Sequence, residues 1–527
     1  MRQQVARLMS LLRNFATVGG ATAVSRVLGF VRDILIAATL GAGWISDAFF
    51  VAFRIPNLFR RLFAEGAFNS AFVPLFARRL EGEGEESARR FGAESLSALI
   101  TALLVVTAIA EIAMPLLMFV FAPGFYSDPQ KYDLTVFLTR VAFPYLTLVS
   151  LLAFYSGVLN ARGRFAAAAF APALLNVVFI VVLALVLWMG WANQPVAGTA
   201  LAVAVLIGGV AQLALVMVAA GRIGTLLPLR RPRLTPGVKR LIVLGIPGVI
   251  AAGIVQINIV VGTIIASLEE GYVSFLYYAD RLYQLPLGIV GIAIGVVLLP
   301  RLSRQLRAGD DDVAMHTQNR ALELAMALTL PSAVALFVMA EPIINVLFER
   351  GSFDANATVQ TAAALAAFSV GLPAFVLIKV FSPGFFARED TKTPMWFAAV
   401  ALVVNVALSL ALFPFLRHVG IALATAIASW VNTVLLAGAL HRRGQFILDA
   451  GALRRLPLIA LAALLMGVCL AAAQAFMAPY IGSPAFVVRA GAVAVLVALG
   501  VVVFALFCQW TGAVNARDVL ARFRDRS

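Results

Sequence analysis

Apolar residues in this chain come in long unbroken runs, not in the period-2 or one-faced 3.6-residue patterns of a soluble domain. Fourteen runs stand out, near residues 14–40, 46–77, 92–122, 134–159, 166–191, 196–220, 238–267, 272–300, 320–348, 356–386, 394–415, 419–440, 456–477 and 485–510. Each is long enough for a helix to cross a hydrocarbon core of about 30 Å. Continuous runs, in place of ten-residue alternating ones, predict helices and not a barrel. The connections between runs sort the basic residues. Counted with the margins of the adjoining runs, the N-terminus, the even-numbered connections and the C-terminus hold 29 of the 41 Lys and Arg, the odd-numbered connections hold five, and the other seven lie inside spans. Because cytoplasmic loops collect Lys and Arg, this split predicts that both termini are cytoplasmic, as an even number of spans requires.

The pattern also repeats. MPLLMFVFAPGF (114–125) matches EPIINVLFERGSF (341–353), with Gly124 on Gly351, and FFVAFR (49–54) matches LYYADR (276–281), with Arg54 on Arg281; both offsets are 227. YSGVLNAR (155–162) matches FSPGFFAR (381–388), with Arg162 on Arg388, at 226. Each match is short, but all three fall in order at an offset of 226 or 227. A unit of six spans gives two copies with the same orientation, and such parallel repeats hold a transport site between lobes. The expected division is an N-lobe over 1–222, a C-lobe over 223–442, and two appended helices over 443–527.

Composition agrees with a polytopic membrane protein: 62% of residues are hydrophobic and 13% charged, against about 25% charged in a soluble domain. A net charge of +15 would suggest nucleic acid in a soluble protein. Here the loop bias accounts for it, and no nucleic-acid partner is expected. Cys469 and Cys508 lie in apolar segments and read as packing residues, although a bridge between them stays open. The basic start MRQQVARLMSLLRNF leads into a long span, unlike a cleavable signal peptide. No phosphate-binding GxxxxGK[ST], GxSxG or HExxH motif occurs, and His316, His418 and His441 lack ligand partners at metal spacing. Neither an enzyme, a cofactor nor a metal is expected.

Against that apolar background, spans 1, 2 and 8 carry charge. Ionisable groups at membrane depth are costly and usually face an interior or a water-filled cavity. Span 1 holds Arg26, Arg32 and Asp33; a bend at Gly29 would bring the two arginines to one cavity, with Asp33 pairing Arg32. The alternative is that Arg32 and Asp33 only neutralise each other. In span 2, Asp47, Arg54, Arg61 and Glu65 share one ideal helix face over about 27 Å, and Arg60 lies beside them. Snorkelling from the span's end is the other reading for Arg60 and Arg61. Span 8 adds Asp280, Arg281 and Gln284, followed by Pro286 and glycines that suit either bending or helix packing. Six arginines (26, 32, 54, 60, 61, 281) against Asp33, Asp47, Glu65 and Asp280 predict a polyanionic ligand, since the guanidinium fork suits phosphate or carboxylate. The arginines are candidate substrate-binding groups, and the four carboxylates candidate charge-pairing or gating groups.

At these residues the chain resembles a known family. SRVLGFVRD, GAGWISDAFFVAFRIPNLFRRLFAEGAF and YADRLYQLPLGIVGIAIGVVLLP are similar to segments of the MurJ (MviN) lipid II flippases, within the multidrug/oligosaccharidyl-lipid/polysaccharide exporter superfamily. The resemblance covers the whole chain. It implies two six-helix lobes around a cationic cavity, with the last two helices lining a groove for an undecaprenyl tail. Arg26, Arg32 and Asp33 match charged first-helix positions of the family, Arg60 and Arg281 its essential arginines, and Asp47 and Glu65 its acidic second-helix positions. Arg54 stands where some relatives have Lys. The implied partners are lipid II, an undecaprenyl-diphosphate-linked disaccharide-peptide, the surrounding membrane lipids and cell-wall synthesis proteins; the implied location is the bacterial cytoplasmic membrane. Some members bind sodium, but spans 7, 11 and 12 here offer Asn258, Asn405, Ser429 and Asn432 with no interior carboxylate. The rival readings are a cation-coupled exporter of the same fold, which the excess of arginine opposes, and a non-transporting lipid II scaffold.

Overall fold

The computed structural model describes residues 2–61 and 69–513, and every regular element among them is a helix. The chain divides into two compact units, Met1–Ser274 with Arg350–Phe353, and Phe275–Glu349 with Asp354–Ser527. The first unit contains α1 (Arg2–Leu40), α2 (Trp44–Phe59), α3 (Asn69–Gly82), α4 (Glu85–Phe121), α5 (Pro129–Ala142), α6 (Tyr145–Ala161), α7 (Ala166–Trp188), α8 (Pro195–Arg222) and α9 (Pro236–Ala266). The second takes most of α10 (Tyr272–Arg307), then α11 (Asp311–Val338), α12 (Ala340–Phe348), α13 (Ala355–Phe386), α14 (Lys392–Arg442), α15 (Ala450–Phe476), α16 (Ala478–Ile481) and α17 (Phe486–Thr511).

Nine helical stretches among the described residues are long and apolar enough to cross a membrane. The charge-bearing helices α1, α2 and α10 are not among the nine. Helix α2 has 16 residues, Arg26, Arg32 and Asp33 interrupt the apolar stretch of α1, and α10 keeps an uncharged apolar run over 283–300 beyond Asp280 and Arg281. Several boundaries differ from the hydropathy reading. The run expected over 320–348 is divided at Met339 into α11 and α12. The two runs expected over 394–440 fall in one long α14, broken at Arg417 with φ 52° and ψ −135°.

Helix starts follow local chemistry. Asp128 caps α5 by accepting from Gln130 N and Lys131 N ahead of Pro129, and Asp354 caps α13 by accepting from Ala357 N. These two caps are 226 residues apart, the spacing of the sequence repeat. The same spacing relates two ion pairs. Arg162 binds Glu85 at the start of α4, and Arg388 Nη2 lies 3.3 Å from Asp311 Oδ1 at the start of α11.

In the first unit α1 packs on α7, α7 on α8, and α2 on α5 and α8. Phe49 and Phe53 stack with centroids 5.9 Å apart, and both meet the edge of Phe179 on α7. This aromatic wedge fixes the height of α2 against α7. In the second unit α13 is the central helix, packed on α11 and α14, while α15 packs on α11 and α17. Met339, Met466, Leu470 and Leu496 form one apolar core there, so α15 and α17 are built into this unit. Cys469 and Cys508 are free thiols.

Candidate functional site

Arg32 sits two turns from the C-terminal end of α1. Its side chain is 12% exposed and fully committed. Nε and Nη2 donate to Asp33 Oδ1 at 3.1 and 2.8 Å, and Nη1 donates to Asn176 Oδ1 of α7 at 3.0 Å. The guanidinium carbon lies 5.5 Å from the Phe179 ring centroid. Asn176 Nδ2 in turn donates to Ser25 O at 2.9 Å, so one buried amide ties the arginine head to the backbone two turns earlier in α1. Helix α1 keeps its helical assignment through Gly29. Gly29 faces Asn176, where a Cβ would stand 3.4 Å from Nδ2, an ordinary contact distance. With the helix unbroken, Arg26 is turned away from Arg32 and is exposed.

Asp47 has a different environment from the one its spacing suggests. It is fully buried, and its partner is a lysine, Lys131 Nζ, at 2.8 Å. Asp47 Oδ2 also accepts from Gly271 N at 2.7 Å, and Oδ1 accepts from Ser274 N at 2.9 Å and Ser274 Oγ at 2.6 Å. Lys131 lies 4.1 Å over the Phe125 ring. A carboxylate with four donors, one of them cationic, is well compensated, and here it binds the first turn of α10 to α2.

Farther along α2, Arg54 Nη1 donates to Thr263 Oγ1 of α9, and the guanidinium shares an apolar cleft with Val51, Leu58, Phe121 and Val260. Pro56 follows, and the helix then widens into a looser turn that carries Arg60 and Arg61. The seven-residue register of an ideal helix therefore fails beyond Arg54. Arg60 is half-buried and its Nε donates back to Asn57 Oδ1 at 3.2 Å, whereas Arg61 is exposed. Glu65 lies outside the described residues.

In the second unit Arg281 is half-buried on α10, with Nη2 donating to Tyr277 OH at 3.0 Å and its guanidinium 4.5 Å from the same ring. Asp280 accepts from Gln284 Nε2. Tyr283, on the same helix, stacks on Phe375 and tilts against Phe368, which anchors α10 on α13.

Residues 36–490 match the family model described as "Lipid II flippase MurJ". A Rhizobium tropici protein named "Probable lipid II flippase MurJ" is 48% identical over 509 residues, which is 96% of this chain and 95% of that relative. The chain belongs to the lipid II flippase MurJ family. A Rhizobium meliloti (strain 1021) relative of the same name is 51% identical over 471 residues, covering 89% of this chain and 88% of its own length. The fold agrees. A solved structure of "Lipid II flippase MurJ, inward closed conformation" superposes with a TM-score of 0.78 at 24% identity, over 95% of this chain and 99% of that one. An inward-facing multidrug-resistance transporter of the MATE family follows with a TM-score of 0.64 at 14% identity, over 80% of this chain and 95% of that one.

Within this MurJ-family chain, sequence reasoning missed three groups that hold the charges: Asn176, Lys131 and Thr263. Asn176 was detectable as the one amide in an otherwise apolar span, a position where a polar side chain needs a partner. Lys131 is hidden among outer-loop charges, and nothing in its neighbourhood marks it as buried. The hydroxyl of Thr263 bonds Ile259 O at 2.8 Å, as helix-borne threonines commonly do, so its second role is invisible in sequence.

Proposed function

We propose that this protein is a lipid II flippase of the bacterial inner membrane, carrying the polar headgroup from the cytoplasmic to the outer leaflet. The observation that supports it most is Arg32, a guanidinium held inside a membrane helix by Asp33 and Asn176, in a chain of this family. Moving a diphosphate and sugars through hydrocarbon is prohibitive, whereas the prenyl tail need never leave it. The headgroup meets Arg26, Arg32, Arg54, Arg60, Arg61 and Arg281, whose planar forks suit diphosphate and carboxylate. Asp33, Asp47, Glu65 and Asp280 set the charge balance, and the path opens alternately to the two sides. No covalent bond is made or broken.

The architecture that goes with this reading has fourteen spans, cytoplasmic termini, lobes over 1–222 and 223–442, and a tail groove on the helices of 443–527. Bare apolar positions on α15 and α17, among them Leu464, Val468 and Val501, support the last point. Depletion of the protein from its bacterium tests the function. Lipid II at the outer leaflet, read with a membrane-impermeant reagent that modifies its headgroup, should fall while total lipid II rises. Unchanged outer-leaflet lipid II contradicts the assignment.

A further inference from the structure

Two glycines related by the repeat, Gly124 and Gly351, make the same unusual contact in the first unit. A Cβ on Gly124, in the turn after α4, would stand 2.2 Å from Ser267 O and 2.5 Å from Leu268 Cα, at the end of α9. A Cβ on Gly351 would stand 2.3 Å from Ala38 O, at the end of α1. The exchange is reciprocal. The turn of the first repeat rests on the first span of the second, and the turn of the second repeat rests on the first span of the first.

Each contact is backbone against backbone, with added hydrogen bonds. Gly124 N donates to Ser267 Oγ at 3.2 Å. Ser352 N donates to Ala38 O at 2.9 Å and its Oγ to Thr39 O at 3.1 Å. Gly41, at φ +66°, leaves room for Ser352 O, which a Cβ would meet at 2.3 Å. Gly351 adopts φ +58°, so a side chain there is excluded twice, by space and by backbone conformation. Between the two turns Asp47 binds Ser274, and these positions are themselves repeat equivalents, 227 apart.

We propose that the two glycine turns are paired latches on the outer side of the flippase, seated together when that side is closed and released together when it opens. The proposal rests on the alternating-access reading above, and it adds what closes the outer side and why both halves act at once. All the contacts lie on odd-numbered connections or the span ends beside them, the side that the charge count places outside. A backbone-to-backbone seat has no flexible side chain to yield, so adding one methyl unseats it.

The test uses full-length protein in membranes with Cys469→Ser and Cys508→Ser, and a reporter, Val51→Cys, one turn deeper than Asp47 and buried. In the parent the reporter should resist a membrane-impermeant maleimide added from outside. Gly124→Ala or Gly351→Ala should raise its labelling rate about tenfold or more. Gly438→Ala, which meets no atom within 4 Å, should leave it unchanged. A second measurement reads coupling, with the reporter moved to Ser267→Cys, buried beneath the Gly124 turn. Gly351→Ala, at the opposite latch, should raise labelling there as well. If Gly351→Ala fails to fold, the milder Ser352→Ala, which removes only the bond to Thr39 O, should act in the same direction. Unchanged labelling of Val51→Cys in folded glycine variants, or labelling of Ser267→Cys indifferent to the opposite latch, overturns the proposal. Neither readout involves lipid II, so failure of the latch and failure of the transport assignment are separable.

Discussion

At the scale of single residues, the charged groups of α1 and α2 are defined by their neutral neighbours. Arg32 has an acceptor on its own helix and one on α7, and the second fixes its direction. Asn176→Leu keeps the volume and removes both amide bonds. A hydrogen bond to a charged group is worth about 1.5–3 kcal/mol, so translocation should fall by roughly tenfold or more. Retained activity would mean that Asp33 alone aims the guanidinium. Asp47 gives the opposite case, a carboxylate whose value lies in stability. Lys131→Met strands it in a buried site and should cost about 3–5 kcal/mol, read as a lower unfolding temperature in detergent. Adding Asp47→Asn should recover part of the loss, because it removes the stranded charge while the one amide oxygen can still accept from Ser274 N and Oγ. No recovery in the double variant would assign the loss to lysine packing over Phe125.

At the scale of elements, the apolar runs were legible because hydrocarbon admits little else, and the Arg32–Asp33 pair because the residues are adjacent. The register of α2 was not. An ideal wheel puts Arg54 with Arg61, but the wide turn after Pro56 changes the azimuth, leaving Arg60 half-buried and Arg61 exposed. Gly29 read as a bend, and its contact with Asn176 of α7 is visible only in the structure. Loops carry their own chemistry. Between α13 and α14, hydrogen bonds from Arg443 and from the side chain and backbone of Thr393 hold the Asp390 carboxyl well below the usual carboxylate range. Because its folded pKa is depressed, its stabilising effect is present above about pH 4 and is lost as pH falls through the lower folded value. Arg443→Ala should move this acid transition of the α13–α14 turn to higher pH, measured by hydrogen exchange at the turn. An unmoved transition would remove the arginine as its cause.

At the scale of the molecule, the repeat that three short sequence matches suggested recurs in the contacts. The Asp128 and Asp354 caps, the Arg162–Glu85 and Arg388–Asp311 pairs, and the Gly124 and Gly351 turns all recur at an offset of 226 or 227. The excess of arginine in α1, α2 and α10 is what distinguishes this chain chemically from a carrier of cationic drugs, and it is open to direct trial. Purified protein in liposomes, supplied with lipid II on one face, gives that trial as a translocation rate for the wild type, Arg32→Ala and Arg281→Ala. The wild type should translocate rapidly, and both variants should fall to rates near the protein-free background. Equal rates in all three would contradict the role given to the arginines, and no translocation by the wild type would contradict transport itself.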